Sequence, residues 1–416
     1  MKRVLISGAI GNALEWYDFA IYAHFSVVIS QLFFPNADPY LATMATWGVF
    51  AAGFIMRPVG AIVFGIIGDR YGRRASLAIS ILMMSIPTAC IGILPSYNEI
   101  GIAAPVILTI IRLLQGLSLG GEFSGAISLV TEHAPNNKRG FAGSITMFSM
   151  CIGILLGSAI VSALYWFLGD TEVTNWAWRL PFLFGLALGI VGLYIRKNLD
   201  ESPKYVEAQN NSLLSKNPTK EVFKNYHREL ISGMLYYVTV AVPFYTFVFF
   251  MREFLFKYKN LPYDASTNIA TLSLIVMTAI LPLSGALSDR YGRRIVLLTG
   301  CIGYIIFGYP IFMLFDMGYS YALIGALIFA TLVGIYMAPI PAVLAELFPT
   351  KVRFTGVAIS YNVSASLFGG TAPMVYTYLI NKTGIINIAG LYVMFFAFIS
   401  LITVYYLNDE PNKALI

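Results

Sequence analysis

The chain has 416 residues, of which 58% are hydrophobic and 12% charged, and a mean hydropathy of +0.73. So little charge cannot cover a soluble globule of this length, which excludes a water-surrounded fold and points to lipid. The net charge of +6 does not mark a nucleic-acid binder, because the basic residues fall on one side of a bilayer.

Stretches of roughly the 20 apolar residues that a crossing needs are expected near 8–32, 43–67, 75–94, 102–130, 141–168 and 176–195, then near 230–256, 265–287, 295–315, 319–345, 354–380 and 386–407. Lys2 and Arg3 precede the first, which is too long for the apolar core of a secretory signal and lacks an Ala-x-Ala site, so it is expected to stay as a helix. That span carries Asn12, Glu15, Asp18, Tyr22 and Ser26 at steps of three or four, one polar stripe on a helix. A charge at mid-bilayer costs about 2.5 to 3.5 kcal/mol. Two carboxylates on one buried stripe therefore suggest a proton or cation path, the competing reading being that Glu15 caps the span at the headgroups. His24 lies on another face and reads as interfacial.

The second span holds Arg57 before Pro58, a buried cation for which Asp18 is the expected partner. The fourth places Arg112, Gln115, Ser118 and Glu122 within about a third of its circumference, with Gly116 and Gly120 on a separate face suited to close helix contact. Cys90, Cys151 and Cys301 sit in apolar runs without metal-ligand or redox spacing, so they read as core residues and no metal centre is expected. Residues 196–229 are too charged to insert and form the expected linker between a bundle over 1–195 and another over 230–416. The second half is nearly free of intramembrane charge, and its polar candidates are Tyr361, Asn362, Ser364 and the Tyr236-Tyr237 pair.

The halves repeat each other. The segment Gly65 to Arg74 returns as Gly285 to Arg294, an offset of 220, and Glu132, Pro135 and Arg139 return as Glu346, Pro349 and Arg353, an offset of 214. An all-α membrane protein of twelve helices in two six-helix bundles related by pseudo-two-fold symmetry is the expected fold. Alternate loops from the N-terminus hold 20 of the 27 Lys and Arg, Arg196 and Lys413 among them, which puts both termini and the linker in the cytoplasm. The repeated loops then form a cytoplasmic gate. Asp69 and Asp289 are placed to meet basic groups and helix N-termini, Gly72 and Gly292 to allow tight turns, with Arg70, Arg73, Arg290, Arg293, Glu132, Arg139, Glu346 and Arg353 beside them; the bland alternative is a topogenic role alone.

These residues resemble the major facilitator superfamily: the Asp-Arg-x-Gly-Arg-Arg loops match its most specific motif, and Arg112-Leu-Leu-Gln115-Gly116 resembles its fourth-helix motif. Within it, Gly11 to Phe19, Arg57-Pro58-Val59-Gly60, Gln115 to Glu122 and Trp178 to Phe182 look like the metabolite:proton symporter family, which includes proline/betaine, α-ketoglutarate, citrate and shikimate carriers. The resemblance implies inner-membrane proton symport by alternating access, with the proton as coupling ion and no other cofactor. It implies Glu15, Asp18 and Glu122 as candidates for proton coupling and Arg57 and Arg112 as candidates for substrate binding; Tyr22, Gln115, Tyr361 and Asn362, on the polar faces read above, are expected to join them as substrate ligands. A small-molecule substrate, the lipid bilayer and a monomeric unit are the expected partners and state. Gly120 to Phe141 looks closer to proline/betaine carriers, and Phe368 to Pro373 closer to organic-acid members; the long coiled-coil tail of osmosensing members is not expected. Ser149, Gly153 and Gly157 stand where antiporters carry a Gly-Pro motif, which disfavours export. Glu201-Ser202-Pro203 resembles a sugar-porter signature, leaving a neutral-solute porter as the alternative. A nontransporting receptor would need a larger signalling domain than the linker offers, and no metal cluster, nucleophile elbow or phosphate loop supports an enzyme.

Overall fold

The structure, a computed structural model, describes residues 2–35, 39–407, 409 and 415; Lys413 lies outside them. The described chain is helical, with no strand. Span 1 runs over Lys2–His24 and on through Ser26–Phe33, span 2 over Pro39–Arg70, span 3 over Arg73–Ile93, span 4 over Ala103–His133, span 5 over Arg139–Glu172 and span 6 over Arg179–Lys197. Span 7 comprises His227–Tyr245, a wide turn at Thr246–Phe250 and Met251–Lys257, and span 8 is Tyr263–Tyr291. Span 9 is Arg293–Leu314, span 10 is Tyr319–Met337 with Ile340–Leu347, span 11 is Arg353–Ser364, a wide turn at Ala365–Gly369 and Ala372–Thr383, and span 12 is Ile388–Tyr405. Among the described residues, ten of these twelve rods contain an apolar stretch long enough to cross a membrane; spans 1 and 11 do not. Span 1 carries Glu15 and Asp18, and span 11 is interrupted after its polar turn of Ser360, Asn362 and Ser364. Both rods meet the opposite half, span 1 through Trp16 against Phe244 of span 7 and span 11 through its packing on span 2.

Packing repeats as the sequence does. Span 1 lies against 5, 2 against 4 and 3 against 6, while in the second half 8 lies against 10, 9 against 12 and 7 against 11. The halves meet mainly where span 2 touches 11 and span 5 touches 8. The glycines of span 4 do what their spacing predicts: a methyl on Gly116 would lie 2.1 Å from the Gly53 carbonyl, and one on Gly120 2.3 Å from the Gly60–Ala61 backbone. Two helices approach this closely only without side chains. Gly72 and Gly292 turn the chain at φ of 105° and 95°, a region open to glycine.

Between the halves, Pro203–Asn210 and Pro218–Asn225 form two short helices, each with proline in its first turn and a side-chain cap from Ser202 or Asn217. One expectation is corrected here. Arg196 belongs to the last turn of span 6 and is 1% exposed, not a solvated linker charge.

Candidate functional site

Six charges, Glu15, Asp18, Arg57, Arg112, Glu122 and Arg196, are fully or almost fully buried in the first half, and the structure sorts them into three pairs. Asp18 on span 1 meets Arg112 on span 4, Oδ2 to Nη1 at 2.6 Å. Its other oxygen accepts from Thr88 at 2.9 Å and Gln115 at 3.0 Å, while Arg112 also donates to Gln115 at 2.8 Å and lies 3.7 Å from the Tyr22 ring centroid. The expected Asp18–Arg57 bridge is therefore corrected. Arg112 is one helical turn from Gln115, and both point at span 1, so they reach Asp18 first.

Arg57 faces the other half instead. Its Nε donates to Asn362 Oδ1 at 3.1 Å and its Nη2 donates to the Tyr361 hydroxyl. The guanidinium also lies 5.0 Å from the Tyr361 ring and 5.4 Å from the Phe54 ring. Asn362 completes the tie by donating to the Gly120 carbonyl at 3.0 Å, and the Tyr361 ring packs against Phe123 and Tyr237 at 4.3 and 4.8 Å. The acidic neighbour of Arg57 is Glu15, at 3.9 Å. Glu15 is 0% exposed, so the headgroup reading is corrected too, and neither of its carboxylate oxygens accepts a hydrogen bond among the described residues.

Glu122 belongs to a third group. It pairs with Arg196 and accepts from Ser80 at 2.5 Å, so the stripe of span 4 splits: Arg112 and Gln115 serve Asp18, while Glu122 turns to span 6. A methyl on Gly11 would lie 2.0 Å from Glu122 and 2.1 Å from Arg196, which is why span 1 has no side chain there. Asn12 likewise leaves the stripe to bond Thr146 and Ser149 on span 5. Arg179 donates to the carbonyls of Gly92 and Leu94 and so caps the end of span 3. His24 meets Ser158 at 3.0 Å at an exposed position. In the second half, Tyr236 turns away to Thr403, leaving Tyr237 beside Tyr361.

The repeated loops make a second site at one end of the molecule. Asp69 accepts from the backbone amides of Phe354 and Thr355 at 3.1 and 2.9 Å and from Arg73 at 3.1 Å. Asp289 does the same with Gly140 and Phe141 at 2.8 and 2.7 Å and with Arg293 at 2.7 Å. Each aspartate thus holds the N-terminus of a span from the opposite half, where exposed amides and the helix dipole favour a carboxylate. Glu132 joins Arg73 at 3.0 Å and Arg353 at 2.7 Å, and Glu346 meets Arg293 at 3.4 Å and Arg139 at 3.5 Å. Arg70 and Arg290 stay outside these networks, over Tyr71 and Tyr291.

Sequence reasoning missed the linker's part in this face. Glu201 accepts from the Arg73 and Arg74 amides at 3.1 and 3.2 Å, and Ser202 donates to Glu132. Asp409 repeats the cap in the second half, accepting from the Arg294 amide at 2.8 Å. The repeat of basic loops was the available signal, since each opens a helix whose amides need an acceptor.

Residues 4–408 match the family model for the sugar (and other) transporter. The chain is 33% identical over 427 residues to the proline/betaine transporter of Escherichia coli strain K12, covering 100% of this chain and 85% of that one. The glycine betaine/proline/ectoine/pipecolic acid transporter OusA of Dickeya dadantii is also 33% identical, over 425 residues with the same coverage. Among solved structures, the proton:xylose symporter XylE bound to 6-bromo-6-deoxy-D-glucose superposes with a TM-score of 0.83 over 99% of this chain and 97% of that one, at 17% identity. XylE in a partially occluded inward-open conformation gives 0.68 over 97% of each chain, at 15% identity. Family, relatives and fold agree: the chain is a multi-pass membrane transporter and belongs to the sugar (and other) transporter family of the major facilitator superfamily.

Proposed function

We propose that this chain imports a small zwitterionic metabolite of the proline or betaine kind together with a proton, by alternating access in the inner membrane, as a monomer with both termini and the linker in the cytoplasm. The observation that carries the reading is Arg57, a fully buried cation of the first half whose hydrogen-bond partners Tyr361 and Asn362 belong to the second. A guanidinium is the natural seat for a substrate carboxylate, and the relatives' names supply the carboxylate-bearing class. In this reading residues 1–195 and 230–416 rock about the 196–229 linker, and Arg112, Tyr22 and Gln115 hold Asp18 in place rather than touch substrate.

Of the three carboxylates, Asp18 and Glu122 each face a buried arginine at hydrogen-bond distance with hydroxyl or amide donors beside it. Among the described residues Glu15 has a single cation, at 3.9 Å, and no hydrogen bond. Its charged form is the least compensated, which makes it the coupling group: a proton on Glu15 frees Arg57 for the substrate carboxylate, and an empty carrier with one charge uncompensated resists the change of face. The Asp69 and Asp289 contacts keep the cytoplasmic face shut while the substrate enters from outside.

The test is uptake of labelled proline and glycine betaine into proteoliposomes under an inward proton gradient, with labelled xylose as the neutral-solute arm. Concentrative uptake abolished by a protonophore is expected. Uptake that survives the protonophore and follows sodium overturns the coupling, and xylose counterflow without proline or betaine counterflow overturns the substrate class.

A further inference from the structure

Beside Arg57 lies a cluster of aromatic rings that the proposed mechanism leaves unused. Trp16 meets Phe244 edge to face at 5.2 Å and 88°, and Tyr245 at 6.3 Å and 70°; Phe54 meets Tyr245 at 6.0 Å and 71°. Trp16 and Phe54 come from the first half and Phe244 and Tyr245 from the second, so these contacts cross the seam that alternating access must open. Trp16, Phe244 and Tyr245 are 1%, 2% and 3% exposed. Phe54 stacks one face toward Arg57, and Tyr245 lies within electrostatic reach of both Arg57 and Glu15.

We propose that these rings are the second seat of a two-seat substrate site, taking an N-methylated ammonium group while Arg57 takes the carboxylate. The proposal rests on the zwitterion reading above and adds which end goes where. In an edge-to-face pair, the electron-rich face of one ring is covered by the partly positive hydrogens of the next. A methylated ammonium presents the same partly positive surface of C–H groups, so it replaces a ring edge without the desolvation that a hydrogen-bonding primary ammonium suffers. Glu15, whose two oxygens accept no hydrogen bond among the described residues, lies 3.9 Å from Arg57 and carries the proton in the loaded carrier, so the ammonium is left to the rings.

The backbone beside the rings departs from regular helix. Span 7 leaves α-helical geometry at Thr246–Phe250, directly after Tyr245, and span 11 does so at Ala365–Gly369. Wide turns of this type are found frequently at functional sites. Gly369 lies under the Tyr245 ring, where a methyl would come within 2.7 Å of it, and Ser366 holds the Phe54 carbonyl at 3.1 Å. Both wide turns therefore abut the ring cluster, one carrying Tyr245 and the other supporting it.

The test is calorimetry of the purified chain in nanodiscs with glycine, sarcosine, dimethylglycine and glycine betaine, a series with one carboxylate and rising N-methylation. Affinity should rise along the series, about thirtyfold from end to end if the cation is desolvated against the rings. In Tyr245→Leu the rise should flatten, with glycine little changed, while Arg57→Lys should weaken the methylated members by a common factor. Tyr245→Phe keeps the ring and should keep the rise, which separates loss of the seat from misfolding. A flat series in the unmodified chain, or a Tyr245→Leu variant weakened equally for all four compounds, overturns the aromatic seat and leaves proton-coupled uptake standing. Binding of none of the four, with binding of a sugar, overturns the reading on which it rests.

Discussion

Asp69→Asn tests whether the repeated loops hold a face shut or merely set topology. Asp69 is 0% exposed and binds two amides at the start of span 11 as well as Arg73. The asparagine keeps one acceptor, loses the charge and turns an N–H toward a helix N-terminus. One charge-assisted hydrogen bond is worth about 1.5 to 3 kcal/mol, so the ratio of shut to open molecules should fall roughly tenfold to a hundredfold. Arg73 is not stranded, because Glu132 still binds it at 3.0 Å, and insertion and folding should therefore be normal. Asp289→Asn should do less: Asp289 is 9% exposed and its neighbour Glu346 29%, so water can take over, and about 1 kcal/mol is the expected cost. Spin labels at Tyr71→Cys and Tyr291→Cys, both exposed beside the loops, would read the opening as a longer distance population. Cys90, Cys151 and Cys301 would first be removed. An unchanged distance distribution in Asp69→Asn, or equal opening in both variants, would refute the argument.

Three further outcomes follow from the geometry. Glu15→Gln should lose concentrative uptake while substrate exchange continues, which counterflow against gradient-driven uptake distinguishes; gradient-driven uptake at the unmodified rate would exclude Glu15 as the coupling group. Gly11→Ala should drive a methyl into Glu122 and Arg196, and breaking a buried pair costs about 3 to 5 kcal/mol, visible as a large fall in melting temperature in detergent. Lys351 meets Glu221 at 2.5 Å and ties the linker to the turn that precedes span 11. Burial would raise the Glu221 carboxyl, but hydrogen bonds from Lys351 and Ser215 hold it below its ordinary value, and the bond to Glu221 raises Lys351 above its own. The tie is thus fully present above the ordinary glutamate range and below the ordinary lysine range. It is lost as pH falls through the lowered Glu221 value or rises through the raised Lys351 value, so proteolysis of the linker should be flat with pH around neutrality and accelerate at either extreme.

Much of this was legible in the chain because lipid is a strict solvent. Apolar length locates ten of the twelve rods, spans 1 and 11 being broken by polar residues, and the repeated Asp-Arg-x-Gly-Arg-Arg loops foretell that Asp69 and Asp289 meet helix N-termini. Pairing was harder to read. Helical period says which face Asp18 and Glu122 occupy, but not which neighbour that face meets, so Asp18 was assigned to Arg57 although Arg112 and Gln115 reach it. Arg196 is hidden by a different ambiguity: an arginine at the end of an apolar run reads as an interfacial charge, and only the packing of spans 4 and 6 on the shared spans 1 and 3 brings it to Glu122. The aromatic seam was invisible for a third reason. Trp16, Phe54, Phe244 and Tyr245 are unremarkable in an apolar sequence, and what sets them apart is that they meet across the halves.

The two sites divide the work by their chemistry. At the loop face, each aspartate binds backbone amides, which do not titrate and bring no side chain to compete with a substrate; such a contact can be made and broken without changing the charge of either half. In the middle, Arg57 gives its hydrogen bonds to neutral groups of the second half and faces a carboxylate of its own half that is only loosely held. Parting the halves there strips Arg57 of Tyr361 and Asn362 and leaves a buried cation in need of an acceptor. In the proposed function a substrate carboxylate answers that need from the open side, and once it does, Glu15 loses its counter-ion and is better held with a proton. On that proposal the substrate and the proton favour each other through one guanidinium, while the loop face only decides which side is open when they arrive.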